Sequence, residues 1–292
     1  MTEQGPFNLA DTAAYSAWRE AKLAAHPTAV GELVVEVADI AALTAAEHGA
    51  LLDRIRRCNM AVYVEPTRRA RDDKAALRAA GGRFGLTSLD CNALADDDGV
   101  TPLAVHREGT RARYIPYSEK PIAWHTDGYY NPPERTVRAL LLHCANPAAE
   151  GGENRVMDVE MLYMALRDED PGHIAALMRP DAMTIPPNEE EGLLRPATVG
   201  PIFTVAATGR LHMRYTARGR NVVWSDDPAV QAAATAIRRL LDESPYGFRH
   251  RLQPGQGLLS NNVLHTREPF RDDPACPRLL YRARYHDRMS GT

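Results

Sequence analysis

The sequence predicts a mainly β protein with flanking helices, built around a single antiparallel β-core, and three observations carry that prediction. Short segments rich in β-branched or aromatic residues recur at 32–37, 60–64, 111–115, 137–144, 201–206, 211–215, 256–260 and 279–286. Helical patterns crowd into residues 1–80 and return near 158–170 and 228–242. Strands are therefore not separated by regular helices, which disfavours a doubly wound parallel sheet. With no internal repeat, low-complexity tract or interdomain linker, residues 1–292 read as one domain.

Each helix has a local reason. Residues 12–25 are rich in Ala, Glu and Lys, which are good helix formers. Thr44-Ala45-Ala46-Glu47 is a capping box, and Leu51, Leu52 and Ile55 follow on one face. Asp226-Asp227-Pro228 offers an N-cap and a first-turn proline. Val230, Ala234, Ile237 and Leu241 then recur at helical spacing, and the helix should stop before Pro245. The stretches 88–110 and 180–200 are long for connections, and read as binding loops or as disorder.

Composition excludes several classes. A hydrophobic share of 44% and a charged share of 25% are those of a globular chain. The net charge of −3 gives no general reason to expect nucleic acid or an anionic membrane as partner. Arg54-Ile55-Arg56-Arg57 reads as a solvated helix face. The start Met1-Thr2-Glu3-Gln4-Gly5-Pro6 lacks a signal-peptide pattern, and no run approaches the roughly 20 apolar residues of a membrane span. The expectation is a soluble, cytoplasmic protein acting on a small molecule; a homo-oligomer is compatible with the composition but not specified by it. Cys58, Cys91, Cys144 and Cys276 are scattered with no C-x-x-C pair, which suits reduced packing thiols.

The chemistry concentrates in three places. Trp124-His125-Thr126-Asp127-Gly128 puts an imidazole and a carboxylate two residues apart, on one face of an extended segment. Alone, H-x-D is a weak signal. Far downstream, Gly257-Leu258-Leu259-Ser260-Asn261-Asn262-Val263-Leu264-His265 runs an apolar strand into a histidine. If the two strands are neighbours, His125, Asp127 and His265 cover one face of an octahedral iron(II) and leave three positions open. Third, in Pro277-Arg278-Leu279-Leu280-Tyr281-Arg282-Ala283-Arg284-Tyr285, strand alternation puts Arg278, Leu280, Arg282 and Arg284 on one face. An arginine inside a β-core needs an anionic partner, and a dicarboxylate co-substrate would supply one.

With these pieces in place, the chain resembles the taurine dioxygenase-like family of iron(II)/2-oxoglutarate oxygenases, which includes the γ-butyrobetaine hydroxylase-like enzymes. The matching motifs are W-H-T-D at 124–127, G-G-E at 151–153, N-V-L-H-T-R at 262–267 and P-R-L-L-Y-R at 277–282. The resemblance spans roughly residues 30–288. It implies a double-stranded β-helix (jelly roll) and one catalytic domain over 1–292. Residues 1–85 would be a helix-rich part packing on the jelly roll, and 155–250 an inserted segment with helices and substrate loops. It implies metal ligation by His125, Asp127 and His265. Arg278 would take the far carboxylate of 2-oxoglutarate, and Arg282 would face the substrate. The position after Gly-Gly-Glu often bears a threonine that helps hold 2-oxoglutarate; here it is Asn154, a departure that keeps hydrogen-bonding capacity. Fe(II), 2-oxoglutarate and dioxygen are the implied cofactors and co-substrates. Halogenating relatives replace the carboxylate with a small residue, so Asp127 implies hydroxylation or an outcome derived from it.

Substrate contacts are less marked. Tyr129, Tyr130 and Asn131 directly follow the metal motif, and Tyr114 and Tyr117 precede it in a loop. Trp124 reads as packing support. Arg214, Arg218 and Arg220 lie in the inserted segment and suggest a small anionic or amino-acid-like substrate, with Arg214 the contact. His143, His173 and His212 have no partner at ligand spacing. The rival readings are a metal-dependent hydrolase or cupin-like enzyme, and a non-catalytic binding protein on the same fold. The first leaves the arginine that follows the distal histidine unexplained, and the intact metal residues argue against the second.

Overall fold

A computed structural model of the chain describes residues 5–67, 71–91, 96, 98–188, 195–219 and 222–292. The elements begin with α1 (Thr12–Ala25), β1 (Val34–Glu36), α2 (Ala45–Cys58), β2 (Met60–Val64), α3 (Asp73–Arg83) and β3 (Thr101–Leu103). They continue through β4 (Ile122–His125), β5 (Ala139–Asn146), β6 (Glu150–Gly151), β7 (Asn154–Met157), α4 (Val159–Glu169) and α5 (Pro171–Leu177). Then come β8 (Met183–Ile185), β9 (Thr198–Gly200), β10 (Phe203–Val205), β11 (Leu211–Met213), β12 (Val223–Trp224) and α6 (Pro228–Glu243). The chain closes with β13 (Phe248–His250), β14 (Gln256–Ser260), β15 (Leu264–Arg267), β16 (Phe270–Arg271) and β17 (Leu279–Tyr285). By internal contacts the chain divides into two compact units. One comprises Met1–His26, Trp124–Glu134 and Met157–Gly247; the other comprises Pro27–Ala123, Arg135–Val156 and Phe248–Thr292.

The second unit is a double-stranded β-helix. Its larger sheet has the order β1-β2-β14-β5-β17-β3, and the smaller runs β13-β7-β15-β4. Pairing in the larger sheet is antiparallel except for β1 on β2. Period-two alternation sorts its side chains into two cores. Leu140, Leu142 and Cys144 of β5 join Val62, Leu258 and Leu280 from the same sheet and Val156 and Phe248 from the other, filling the barrel. Ala139 and Leu141 face the opposite way, with Tyr63, Leu259, Ala283 and Tyr285, onto Leu51 and Ile55 of α2 and Ala76, Leu77 and Ala80 of α3. Each fully buried leucine here is worth roughly 1.5–3 kcal/mol of transfer free energy.

The first unit holds α1, α4, α5 and α6 with the small sheets β12-β8-β9 and β10-β11. Lys22 of α1 is buried between Asp158 (2.6 Å) and Glu160 (2.5 Å), and Tyr15 donates to Asp168 at 2.6 Å. The helix-rich N-terminal part is therefore divided: α2 and α3 cover the jelly roll, whereas α1 packs with the segment after residue 157.

Local signals behave as the sequence predicts in both helices with explicit caps. Glu47 N–H donates to Thr44 Oγ1 at 3.2 Å, and the Glu47 carboxylate accepts from Thr44 N–H at 2.7 Å. Asp227 caps α6, with Pro228 in its first turn, and the helix ends before Pro245. Two strand expectations are corrected. Residues 111–115 fall instead in 3₁₀ turns, Thr110–Arg113 and Ile115–Tyr117, closed by local bonds such as Tyr114 N–H to Arg111 O at 3.0 Å, and Ile115 O accepts from a buried arginine described below. In 32–37 the strand starts only at Val34, after a 3₁₀ turn over Val30–Leu33. The long stretches 88–110 and 180–200 contain β3, β8 and β9; residues 92–95, 97 and 189–194 lie outside the described residues. Cys58 and Cys144 are buried packing thiols, whereas Cys91 and Cys276 are exposed. Among the described residues no helix is long and apolar enough to cross a membrane.

Candidate active site

His125 ends β4, and Asp127 lies two residues on, so both side chains share a face. Thr126, between them, points the other way and is fully buried. Its N–H donates to Tyr215 O at 3.0 Å, and its hydroxyl accepts from Tyr215 N–H at 3.1 Å. Ala217 N–H donates to Trp124 O at 2.8 Å, so residues 124–127 are held like a strand against 215–217. Gly128, with φ at 70°, then turns the chain. His125 Nε2 and Asp127 Oδ1 stand 3.7 Å apart, and both residues are buried.

His265 sits on β15. Its Nδ1 lies 2.9 Å from Val263 O, which places the hydrogen on Nδ1 and makes Nε2 the nitrogen that would ligate. Ligand atoms of His125, Asp127 and His265 all lie within 4.8 Å of one another, the span a single ion would bridge. Two imidazoles and one carboxylate suit a non-haem iron(II) site that keeps positions open.

Arg278 is the second feature. It is buried, and among the described residues no carboxylate comes within ion-pair distance of it. Its guanidinium donates to Leu103 O at 3.5 Å and stands 4.9 Å from the centroid of the Phe270 ring. Burial pushes its pKa down to about 10, which leaves it cationic at neutral pH. A desolvated cation without a counter-anion is costly, and an incoming carboxylate relieves that cost. Leu280 of the same face belongs to the barrel interior, while Tyr281, Ala283 and Tyr285 belong to the outer core, so Arg282 faces inward as the alternation requires. Asn154 donates to Thr266 O at 2.8 Å and lines an apolar-surfaced cavity with His265, Leu142, Val156 and Leu258.

The Gly-Gly-Glu motif has a steric purpose. Gly151 has φ at 71°, and a Cβ there would lie 2.3 Å from Pro269 O. Gly152 N–H donates to that oxygen at 3.1 Å, and Glu268 N–H donates to Glu153 O at 2.8 Å. The glycines thus let β6 and β16 close together and place Phe270 beside Arg278.

The family model for the taurine catabolism dioxygenase TauD, TfdA family matches residues 25–284. The chain belongs to that family. Similar curated proteins include two uridine-5'-phosphate dioxygenases. The one from a Streptomyces species is 31% identical over 199 residues, covering 64% of this chain and 70% of the relative. The one from an Amycolatopsis species is 32% identical over 172 residues, covering 56% and 60%. Solved structures with the same fold include an asparagine oxygenase in complex with Fe(II), 3-hydroxyasparagine and succinate, at TM-score 0.60, 14% identity and coverage of 82% and 81%. The non-heme iron oxygenase OrfP with Fe, succinate and (3S)-hydroxy-L-Arg follows at TM-score 0.61, 18% identity and coverage of 84% and 81%. This TauD, TfdA-family chain is a 2-oxoglutarate-dependent non-haem iron dioxygenase, using Fe(II), 2-oxoglutarate and dioxygen. The buried imidazole–carboxylate trio fits the metal, and the buried Arg278, with no carboxylate at ion-pair distance among the described residues, fits the co-substrate.

Around this TauD-type centre the sequence-predicted substrate residues divide. Tyr129 is buried with its ring edge-on to His125, 6.4 Å between centroids, and Tyr130 stacks edge-on to Tyr129 at 5.2 Å. Asn131 N–H closes the turn on Gly128 O at 2.8 Å. Tyr117 is buried among Leu103, Leu140, Leu142 and Leu280, inside the barrel. Arg214 is a correction. Its guanidinium donates to the main-chain oxygens of Tyr129 (2.7 Å), Thr198 (2.8 Å), Met183 (3.2 Å) and Gly200 (3.3 Å). Those carbonyls, not a substrate, satisfy it. Burial, then the neighbouring Arg195, pushes its pKa down to about 10. Arg218 N–H donates to Thr216 Oγ1, and Arg220 lies outside the described residues. Arg214→Met should therefore cost about 3 kcal/mol of stability in urea unfolding, because buried carbonyls lose charged donors. Unchanged stability with weakened substrate affinity would restore the substrate-contact role.

Sequence reasoning missed three residues. Arg195 donates to Pro186 O at 2.8 Å and stands 5.6 Å from the Tyr130 ring centroid. Arg267 and Phe270 surround Arg278. Arg267 was visible inside N-V-L-H-T-R, but nothing in the sequence shows what a buried arginine there would hold. His143, which had no partner at ligand spacing, is buried with Nδ1 2.7 Å from the Tyr63 hydroxyl.

Proposed function

We propose that His125, Asp127 and His265 hold the Fe(II), with Arg278 taking the distal carboxylate of 2-oxoglutarate and Asn154 beside it. The enzyme then hydroxylates, or otherwise oxidises, an unactivated C–H bond of a small anionic molecule and releases succinate and carbon dioxide. The observation that carries this reading is the 4.8 Å cluster of three ligand atoms from residues 140 positions apart in sequence. Bound iron and 2-oxoglutarate supply the oxidising chemistry; the chain supplies orientation, charge and exclusion of water.

For the substrate, the relatives' names support a nucleoside 5'-phosphate or a molecule like it. Arg282, facing the barrel interior on the strand that begins just after Arg278, is the cation we assign to the substrate anion, with Tyr129, Tyr130 and Asn131 bordering it. An amino-acid-like anion is the second candidate on the same cation.

Anaerobic titration of the apo-protein with iron(II), then 2-oxoglutarate, should develop the visible charge-transfer band of a chelated 2-oxo acid. His125→Ala should abolish it and Arg278→Ala weaken it. A folded, iron-binding protein with no band would overturn the assignment. Succinate release with uridine-5'-phosphate, uridine and L-amino acids then separates the substrate classes; uridine matching its phosphate would remove the anionic requirement.

A further inference from the structure

Arg267 is buried, and like Arg278 it has no carboxylate at ion-pair distance among the described residues. It donates instead to four main-chain oxygens of one loop: Pro116 (3.0 Å), Ile115 (3.2 Å), Ser118 (2.6 Å) and Lys120. Its guanidinium also stands 4.9 Å from the Phe270 ring centroid, the same distance as that of Arg278. Two desolvated cations thus share one aromatic ring, whose quadrupole attracts each while the cations repel each other.

A second route joins the same parts. Phe270 N–H donates to Glu119 O at 3.1 Å, and Asp272 N–H donates to Glu119 Oε1 at 2.9 Å. Asp272 Oδ1 in turn accepts from Arg278 N–H at 2.7 Å. The loop 115–120 carries Tyr117 into the barrel interior and leads through Pro121 directly into β4.

We propose that Arg267 is a positioning residue that couples the loop 115–120 to the co-substrate pocket, so that a dicarboxylate on Arg278 tightens the loop through Phe270. The proposal rests on Arg278 as the 2-oxoglutarate anchor. The physical reason is charge balance. A carboxylate at Arg278 offsets the repulsion that Arg267 feels across the ring, which strengthens its hold on the loop carbonyls. By linkage, a loop held in place favours co-substrate binding by the same factor. Burial, then Arg278, pushes the Arg267 pKa down to about 9, in keeping with that repulsion.

Hydrogen exchange of the 110–120 amides, measured on the anaerobic Fe(II) protein with and without 2-oxoglutarate, tests the coupling. Tyr114, Tyr117 and Ser118 N–H groups are hydrogen-bonded within the loop and report its opening. In the unsubstituted protein, 2-oxoglutarate should slow their exchange about tenfold. Arg267→Lys keeps the charge but loses the planar fork, and should reduce that slowing to less than about twofold while the charge-transfer band persists. Phe270→Leu, which keeps both arginines and removes the shared ring, should do the same and serves if the lysine variant is unstable. Equal slowing in both variants would overturn the proposal, as would no slowing in the unsubstituted protein while the band shows co-substrate bound. Absence of the band itself would instead indict the Arg278 assignment.

Discussion

Arg278→Met should raise the 2-oxoglutarate concentration for half-maximal turnover by about a hundredfold, since truncating one partner of a buried charged pair costs about 2–5 kcal/mol. Iron affinity should stay within about twofold. The same substitution should stabilise the protein lacking co-substrate by about 1–2 kcal/mol, because an apolar side chain replaces a buried cation that has no ion-paired carboxylate among the described residues. These opposite signs are the signature of a binding cation, as a structural arginine would lose stability on truncation. The pH dependence has a defined sign. The pKa of Arg278 is lowered only to about 10, so the cation persists from pH 6 to 8 and its pull on 2-oxoglutarate should be flat there. It weakens only as pH rises through 10. Arg278→Lys, which keeps charge without the fork, should fall between, at about tenfold. Steady-state kinetics in 2-oxoglutarate and thermal unfolding without it check both halves. An unchanged half-saturation would move the dicarboxylate elsewhere.

Asp127→Ala should reduce turnover by more than about a thousandfold, since a lost first ligand removes several kcal/mol of metal-centred stabilisation. The fold should persist. The strand segment that carries Asp127 is pinned by Thr126 on its opposite face, to Tyr215, and by Trp124 O to Ala217 N–H. Iron titration and succinate release, read together with circular dichroism, separate ligand loss from unfolding. Turnover within tenfold of the unsubstituted enzyme would show that the ligand set has been misassigned. Thr126→Val offers the complementary control: it removes one hydrogen-bond acceptor from the strand, and should cost about 1 kcal/mol of stability with iron binding retained.

The shared face of His125 and Asp127, the alternation along β17 and the capped helices were legible because each depends on local spacing. A two-residue alternation puts His125 and Asp127 on one face, and a capping box at Thr44–Glu47 needs only its own four residues. What stayed hidden was set by tertiary hydrogen bonds. Residues 111–115 carry strand-like side chains, but they lie in 3₁₀ turns, and Arg267, about 150 positions away, holds the carbonyls of Ile115 and Ser118 at the second of them. Arg214 reads as a substrate cation because sequence shows its charge and not the four carbonyls around it. Lys22 likewise looks like an ordinary helix-surface residue until Asp158 and Glu160 bury it.

The strand order of the larger sheet also sets a clock for synthesis. β5 is almost wholly buried, and its two neighbours, β14 and β17, begin only at Gln256 and Leu279. While roughly 110 further residues are being translated, at about 5–20 residues per second, this apolar strand waits some 5–20 s without either hydrogen-bonded neighbour. During that interval both its edges are open to any other extended chain nearby. Ribosome-bound chains halted after residue 250 should therefore recruit chaperones and aggregate on release, whereas chains that also expose residues 256–285 outside the ribosome should not.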